Sequence, residues 1–190
     1  SMTADNQTVV NGMSNSRRNS PFANSGMVVE LRVVDFAEYK DYGVLAGLKF
    51  QEDLESLAFK NGGQKQIAPA QRISDFVRGK ISGSLPDSSY IPGLISSPMH
   101  FWMPESISKR LQEGLKAFDR QMHGFASSEG ILVGVESRSS SPIRIPRDGE
   151  TLHHIRIENL YPCGEGAGYA GGIVSSAIDG MNCAEAIARK

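Results

Sequence analysis

The clearest ligand-binding pattern in the sequence is a run of glycines near the C-terminus, GEGAGYAGGI at residues 164–173. Read from Gly166, the letters GAGYAG fit G-x-G-x-x-G, a turn in which glycines let the backbone approach a dinucleotide phosphate. A strand predicted to end at Pro162 and a helix predicted to start near Gly172 would point unpaired N–H groups at an anionic or carbonyl-bearing ligand. The sequence therefore predicts a cofactor-binding loop whose members are Gly164, Glu165, Gly166, Ala167, Gly168, Tyr169, Ala170, Gly171, Gly172 and Ile173.

The same glycines also have a purely structural explanation. A tight turn and the close packing of a helix need residues without a side chain, and Gly171 with Gly172 would then only start that helix. Since only 18 residues follow Gly172, there is no room for the second strand and the ribose-binding acid of a dinucleotide-binding domain. If the loop binds a ligand, we expect it to complete a site that is built elsewhere.

Two groups of arginines are the next candidates for ligand contact. Arg138 and Arg144, together with Arg147, lie in the segment ESRSSSPIRIPRD, and guanidinium groups suit a carboxylate or phosphate of a small-molecule substrate. Arg17 and Arg18 lie in SNSRRNSPFANSG, a predicted loop longer than the usual connection of ~4–6 residues. Ordinary solvated arginines are the alternative explanation for both groups.

The histidines and cysteines predict neither a metal site nor a redox pair. His100, beside Phe101 and Trp102, fits a structural aromatic cluster better than a pocket acid or base. The four histidines show no spacing typical of metal ligands. Cys163 and Cys183 are far apart in the sequence and form no C-x-x-C motif. Cys163 precedes the glycine loop and would suit a redox role, but because no second cysteine is expected close by, we expect it to be a small buried thiol.

Composition is that of an ordinary globular protein. The 190 residues are 39% hydrophobic and 22% charged, with a formal net charge of −1. Scattered lysines and arginines give no reason to expect a nucleic acid or an anionic membrane as partner. The sequence also lacks an apolar run of the roughly 18 residues that suggest a membrane span. We expect a soluble, cytoplasmic protein with reduced cysteines.

Hydrophobic periodicity predicts the elements that must position these residues. Apolar positions recur at helical spacing in four segments, and β-branched runs bounded by turn-forming residues predict strands. The stretch 81–99 is rich in Ser, Pro and Gly and predicts an irregular connection. The result is an α+β fold, a mixed sheet with flanking helices. The predicted helices cover 44–60, 68–80, a segment opened by Pro104, and 173–187; the predicted strands lie at 9–12, 26–36, 130–138, 141–147 and 153–162.

Several motifs in order along the chain resemble one family. They are NGMSNSRRNSPFANSGMVV, LAGLKFQEDLE, APAQRISDF, GVESRSSSPIRIPRD and LYPCGEGAGYAGGIVSSAIDGMNCAEAI. Together they resemble the C-terminal part of uncharacterised FAD-dependent dehydrogenases, NAD(P)/FAD-utilising oxidoreductases. The resemblance implies FAD as cofactor and leaves the use of NAD(P)H open. It implies that Glu165 lies near the ribityl or pyrophosphate part of FAD, and that the backbone of Gly171, Gly172 and Ile173 faces the isoalloxazine edge.

The resemblance also implies a division of the chain. Residues 9–150 would be the substrate domain, and 151–190 a strand-loop-helix that returns to complete the FAD-binding domain of a flavoprotein with two dinucleotide-type folds. The residue types of 1–8 themselves suggest a cloning remnant, Ser1 and Met2, followed by a polar, disordered start. No G-x-G-x-x-G follows a predicted strand in the first half of the chain. We therefore expect a fragment that is inactive alone, binds FAD weakly or not at all, and needs an upstream FAD-binding domain as partner. The alternative is a non-catalytic anion- or nucleotide-binding module that uses the glycine loop alone.

Overall fold

A computed structural model describes residues 4–13 and 16–189. In these ranges the chain forms a small mixed sheet and five α-helices, so the predicted α+β class is confirmed. The strands are β1 (Ala68–Arg72), β2 (Leu94–Ser96) and β3 (Ile131–Val133). The helices are α1 (Ala46–Asn61), α2 (Ile73–Arg78), α3 (Met99–Trp102), α4 (Glu105–Gln121) and α5 (Ile173–Ala188), and α1 is preceded by a run of 3₁₀ turns, Val33–Leu45.

The sheet has β1 in the centre. β2 pairs with β1 in parallel, with Ala68 opposite Leu94, and β3 pairs with β1 antiparallel, with Ala70 opposite Val133. Residues 68–72 were predicted to be helical, and that prediction is wrong because the segment APAQR is buried between two partner strands. Only its continuation is helical, as α2, which ends at Gly79 in the left-handed conformation (φ 65°).

The helices match the periodicity well. α1 and α5 occupy almost the predicted ranges, and Pro104 lies immediately before α4, as predicted. On α4, Ile107 and Leu115 are buried while the charged residues between them face solvent. Apolar residues at this spacing bury one stripe of a helix, which explains why α4 packs against neighbouring elements.

Four predicted strands are not formed. The structure has no strand at 9–12, at 26–36, or in the two segments near the C-terminus, 141–147 and 153–162, which share a single bridge between Arg147 and His154. Ile155 and Ile157 are exposed, so alternation in that segment does not correspond to an inward face. Asp148 Oδ1 accepts the N–H groups of Glu150 and Thr151, and this turn replaces strand pairing.

The chain divides into two compact units. The first contains the residues up to Asp35 together with Gln51–Ser137, and the second contains Phe36–Phe50 together with Arg138–Lys190. These units divide the chain at different points from the predicted domains 9–150 and 151–190, and the assignment of those domains to parts of a longer flavoprotein stays a prediction. Residues 1–3 of the predicted disordered start lie outside the described residues. Thr8, the last residue of the segment predicted to be disordered, is buried and donates its N–H to Glu55 O.

The core of the first unit surrounds the sheet. Phe76, Leu115 and Ala58 are fully buried there, with Met99 and Ile107 beside them.

Among the described residues, no helix is both long and apolar enough to cross a lipid bilayer.

Candidate functional site

The glycine loop lies in the second unit and is held as two interlocking turns. Gly168 N–H donates to Glu165 O at 2.8 Å, and Tyr169 N–H donates to Gly164 O at 3.0 Å. Gly164 and Gly168 adopt positive φ, 70° and 81°, which glycine does without steric cost. α5 begins directly after the loop. The predicted loop-to-helix junction is thus present, but the strand predicted before it is replaced by turns.

The glycines have different environments. A Cβ added at Gly168 would lie 2.5 Å from Ile143 O, so this glycine permits close approach of the chain's own backbone. A Cβ added at Gly166 would meet nothing within 4 Å, and at Gly171 only Ser139 O at 3.7 Å. The structural explanation therefore applies to Gly168, whereas Gly166 and Gly171 lie at open positions.

An ion pair that the sequence analysis did not identify holds the loop in place. Arg147 Nη2 lies 2.6 Å from Asp179 Oδ1, and Arg147 Nη1 lies 3.0 Å from Asp179 Oδ2. Arg147 Nη1 also donates to Pro162 O at 2.7 Å, and Gly164 N–H donates to Asp179 Oδ2 at 2.8 Å. The two side chains are only 9% and 14% exposed. The pair therefore joins the segment before the loop, the loop itself and α5.

The electrostatics follow from this geometry. Hydrogen bonds from the Arg147 side chain are the main reason that the pKa of Asp179 lies below its ordinary value, and Gly164 N–H adds to the effect. The Asp179 carboxylate in turn raises the pKa of Arg147. Both groups are consequently held in their charged forms, which is the state that a bidentate pair requires. The sequence placed Arg147 among the possible substrate ligands, whereas in the structure it supports the fold through a contact with a residue 32 positions away.

Tyr169 connects the loop to the arginine segment. Its ring lies beneath two guanidinium groups, with Arg144 Cζ at 4.3 Å and Arg147 Cζ at 3.7 Å from the ring centroid. Its hydroxyl accepts Arg147 N–H and donates to Ile145 O, both at 3.0 Å. Since the ring is fixed at both ends, Arg144 is presented over a preformed aromatic surface.

Arg144 and Tyr169 border an open cleft of about 490 Å³ in the second unit. Arg144 is exposed, and within residues 4–13 and 16–189 its guanidinium makes no ion pair. A cation beside an aromatic ring suits an anionic group attached to a planar body. The cleft is lined by Arg144, Pro146, Arg147, Gly149, Leu152 and Tyr169.

The other arginine candidates are not brought into this cleft. Arg138 is exposed and is absent from the cleft lining. Arg17 and Arg18 are exposed in the first unit, where Arg18 has a positive φ of 51°. Substrate contact by these three residues stays a prediction.

His100 is part of a polar contact in the first unit. Its Nδ1 lies 2.7 Å from Gln71 Nε2, and burial lowers its pKa below the ordinary value. The expected aromatic cluster is not formed around it, since Phe101 is 82% exposed and Trp102 donates Nε1–H to Ser97 Oγ. In the part of the chain that the structure describes, no group of three or more His, Cys, Asp or Glu side chains is placed to hold a metal ion.

Comparison with known proteins identifies the family. Residues 1–139 match the family described as "FAD-dependent protein, C-terminal domain-like". The chain belongs to this family. A protein of Clostridium beijerinckii described as an uncharacterized protein is 40% identical over 188 residues, which is 98% of this chain and 34% of that protein. The chain thus spans about a third of the length of this curated relative.

The FAD named in the family's description can be tested against the residues of the loop. In the described residues, the backbone N–H groups of Gly171, Ile173 and Val174 donate no hydrogen bond, and Ile173 is 92% exposed. These N–H groups lie at the N-terminus of α5, where they suit a hydrogen-bond acceptor group of a flavin. The N–H groups of Gly164 and Gly168 do not fit, because Asp179 and Glu165 O already accept them. The chain of this FAD-dependent family could therefore hold FAD at the start of α5, not along the whole loop.

Proposed function

We propose that this chain is the C-terminal part of a flavin-dependent oxidoreductase that passes a hydride or electron pair between a small-molecule substrate and FAD. The observation that carries the proposal is the exposed start of α5, which follows the glycine loop directly in a member of an FAD-dependent family. FAD, when bound, supplies the redox chemistry. The chain supplies positioning and charge, with the positive helix end favouring negative charge beside it.

Two parts of the proposed cofactor site can be named. The backbone of Gly171, Gly172 and Ile173 would contact the isoalloxazine edge, and Glu165 would accept hydrogen bonds from ribityl hydroxyls. The Glu165 carboxylate makes no hydrogen bond or ion pair among the described residues, which leaves it available for this role.

An apolar stripe on α5 supports the view that a further part of the protein covers this region. Val174, Ile178 and Met181 lie at helical spacing on one side of α5, and each is more than half exposed. A stripe of this kind beside a candidate site is typical of a surface that packs against another domain. Because the relative is about three times as long as the region it shares with this chain, we propose an upstream FAD-binding domain as that partner.

The cleft beside Tyr169 is the proposed substrate contact. Arg144 would pair with a carboxylate or phosphate, while the ring of Tyr169 supports the attached planar group. This assignment requires a small-molecule substrate and no nucleic acid. A role for NAD(P)H has no supporting observation, so it is not part of the proposal.

The proposal is tested by flavin content. In the longer protein that the proposal requires, Ile173→Glu places a carboxylate at the exposed helix start, and we expect the purified protein to lose most of its bound flavin on desalting, measured by its visible spectrum. The matched control is Ile91→Glu, which changes an isoleucine that is 96% exposed in the first unit and should leave flavin content unchanged.

Three other outcomes discriminate between the alternatives. Retention of full flavin by Ile173→Glu would contradict the assigned contact. Binding of adenine nucleotides without flavin, measured by calorimetry, would favour the anion- or nucleotide-binding module instead. The chain alone should bind FAD weakly or not at all, and a yellow chain with stoichiometric flavin after desalting would show that no upstream domain is needed.

A further inference from the structure

The two cysteines meet in the fold although the sequence separates them by 20 positions. Cys163 is exposed at the start of the glycine loop, and Cys183 is buried on α5. Arg147 Nη1 lies 2.7 Å from Pro162 O and 3.4 Å from Cys183 Sγ, which places Cys163, the residue after Pro162, beside Cys183 in the fold. Two expectations from the sequence are therefore wrong: Cys163 is not buried, and it does have a second cysteine nearby.

The ion pair of Arg147 and Asp179 fixes this arrangement from both sides of Cys163. The carbonyl oxygen of the preceding residue, Pro162, accepts a hydrogen bond from Arg147. The N–H of the following residue, Gly164, donates a hydrogen bond to Asp179. Asp179 lies one helical turn before Cys183 on α5, so the same contact brings the loop to that thiol.

Arg147 also acts on the buried thiol directly. Its Nη1 lies 3.4 Å from Cys183 Sγ. Burial raises the pKa of Cys183, and the Arg147 charge partly opposes that effect. A guanidinium at this distance stabilises a thiolate at the moment it forms, which is how neighbouring cations activate cysteines. The exposed thiol meets reagents from solution, and the buried one is positioned to react only with its neighbour.

We propose that Cys163 and Cys183 are a redox-active pair that forms a reversible disulfide by exchange with small-molecule disulfides. The Cys163 thiolate attacks one sulfur of the reagent, which forms a mixed disulfide and releases one reagent thiol. The Cys183 thiolate then attacks the Cys163 sulfur, which forms the protein disulfide and releases the second reagent thiol. Two protein thiols and one reagent disulfide thus become one protein disulfide and two reagent thiols. The two protein thiols lose their protons to solvent as they become thiolates, and the two reagent thiolates that leave take up protons from solvent.

The product would cross-link the start of the glycine loop to α5. That bond lies a few residues before the exposed edge at 171–173 and would hold the loop against the helix in the oxidised chain. The inference does not depend on the flavin proposal, because the thiols, Arg147 and Asp179 all belong to the second unit of this chain.

The test uses the reduced native chain and oxidised glutathione. We expect its mass to fall by two hydrogens, and peptide mapping without reductant should link the Cys163 peptide to the Cys183 peptide. Dithiothreitol should reverse the change. Accumulation of a stable glutathione adduct on native protein, or a Cys163–Cys183 link that forms only in denaturant, would overturn the proposal.

Two isosteric variants test the order of attack. Cys183→Ser should stop at a glutathione adduct on Cys163, while Cys163→Ser should react with glutathione disulfide at least about ten-fold more slowly, because its remaining thiol is buried. Circular dichroism establishes that both variants are folded. Equal reaction rates in two folded variants would contradict the assignment of Cys163 as the attacking thiol, and the mapping of the unsubstituted chain tests the pair independently of both variants.

Discussion

The two units of the chain are held together in different ways. In the first unit, fully buried apolar side chains such as Phe76 and Leu115 surround a three-stranded sheet. In the second, the described buried apolar residues are Phe50, Pro162, Ala167 and Cys183, and the glycine loop is fixed by Arg147 and Asp179. One unit depends mainly on removing apolar surface from water, and the other depends on a charged, hydrogen-bonded contact.

This difference bears on function. A helix that leaves Val174, Ile178 and Met181 exposed does not complete a core by itself. The ion pair fixes the loop, and so it keeps the start of α5 in position without covering it. We infer that another part of the protein covers the exposed apolar side of α5.

The largest effect is expected in the core of the first unit. Phe76→Ala should lower the free energy of unfolding by about 3–5 kcal/mol, because it leaves a cavity around a fully buried ring. Phe101→Ala removes the same side chain from an exposed position and should change stability by less than about 0.5 kcal/mol. Urea titration followed by the fluorescence of Trp102, the chain's single tryptophan, measures both. Equal losses would show that burial is not what stabilises this unit.

The next effect is expected at the ion pair. Asp179→Asn should cost about 2–3 kcal/mol locally, because it leaves the largely buried Arg147 guanidinium without its charged partner. Hydrogen exchange followed by mass spectrometry should show lost protection at 142–147 and 162–172, with the sheet of the first unit unchanged. Glu185→Gln is the matched control, since it breaks an exposed ion pair on the same helix with Arg189. If Glu185→Gln lowers hydrogen-exchange protection of the loop as much as Asp179→Asn does, then Asp179 is not the residue that fixes the loop.

A smaller effect is expected inside the loop. Gly168→Ala should destabilise the loop by about 1–2 kcal/mol, because a left-handed residue gains a Cβ that meets Ile143 O. Gly166→Ala, at an open position two residues away, should leave loop protection in hydrogen exchange unchanged. The opposite order would mean that Gly166 and not Gly168 is required by the fold.

The sequence predicted the helices well because their signal is local. α4 has an apolar stripe and a preceding proline, and α5 follows glycines, so both could be located without knowing what they pack against. The family resemblance also came from short motifs in order, and the match to the FAD-dependent family confirms it.

The strands and the ion pair could not be predicted in the same way. β1 has the sequence APAQR, which carries little strand propensity, and it is a strand because β2 and β3 pair with it from distant positions. Apolar and polar residues alternate around Ile155 and Ile157 as they do in a strand, but no neighbouring strand pairs with this segment. Arg147 and Asp179, like Cys163 and Cys183, become neighbours only when α5 packs against the loop. Arg144 was named from the sequence, but its position over Tyr169 required the fold.

The smallest expected effect is a difference between the two units in how their stability depends on pH. Burial lowers the pKa of His100, so the folded first unit favours neutral histidine. The stability that this histidine contributes is present above its unfolded pKa of about 6.5 and is lost as pH falls through the lower, folded value. The pKa of Asp179 is also lowered, by Arg147, but there the charged form is favoured. Its contribution persists down to about pH 4 and is lost only below that.

Acidification from pH 7 to 5 should therefore weaken the first unit slightly and leave the ion pair of the second intact. Urea midpoints from Trp102 fluorescence should fall over this range, while hydrogen exchange at 162–172, corrected for its intrinsic pH dependence, should stay constant. His100→Asn keeps a group that can accept from Gln71 Nε2 but cannot be protonated in this range, so it should reduce the fall in midpoint. A midpoint that falls equally in this variant would assign the pH dependence to another group, and early loss of protection at 162–172 would show that Asp179 does not hold the loop through its charge.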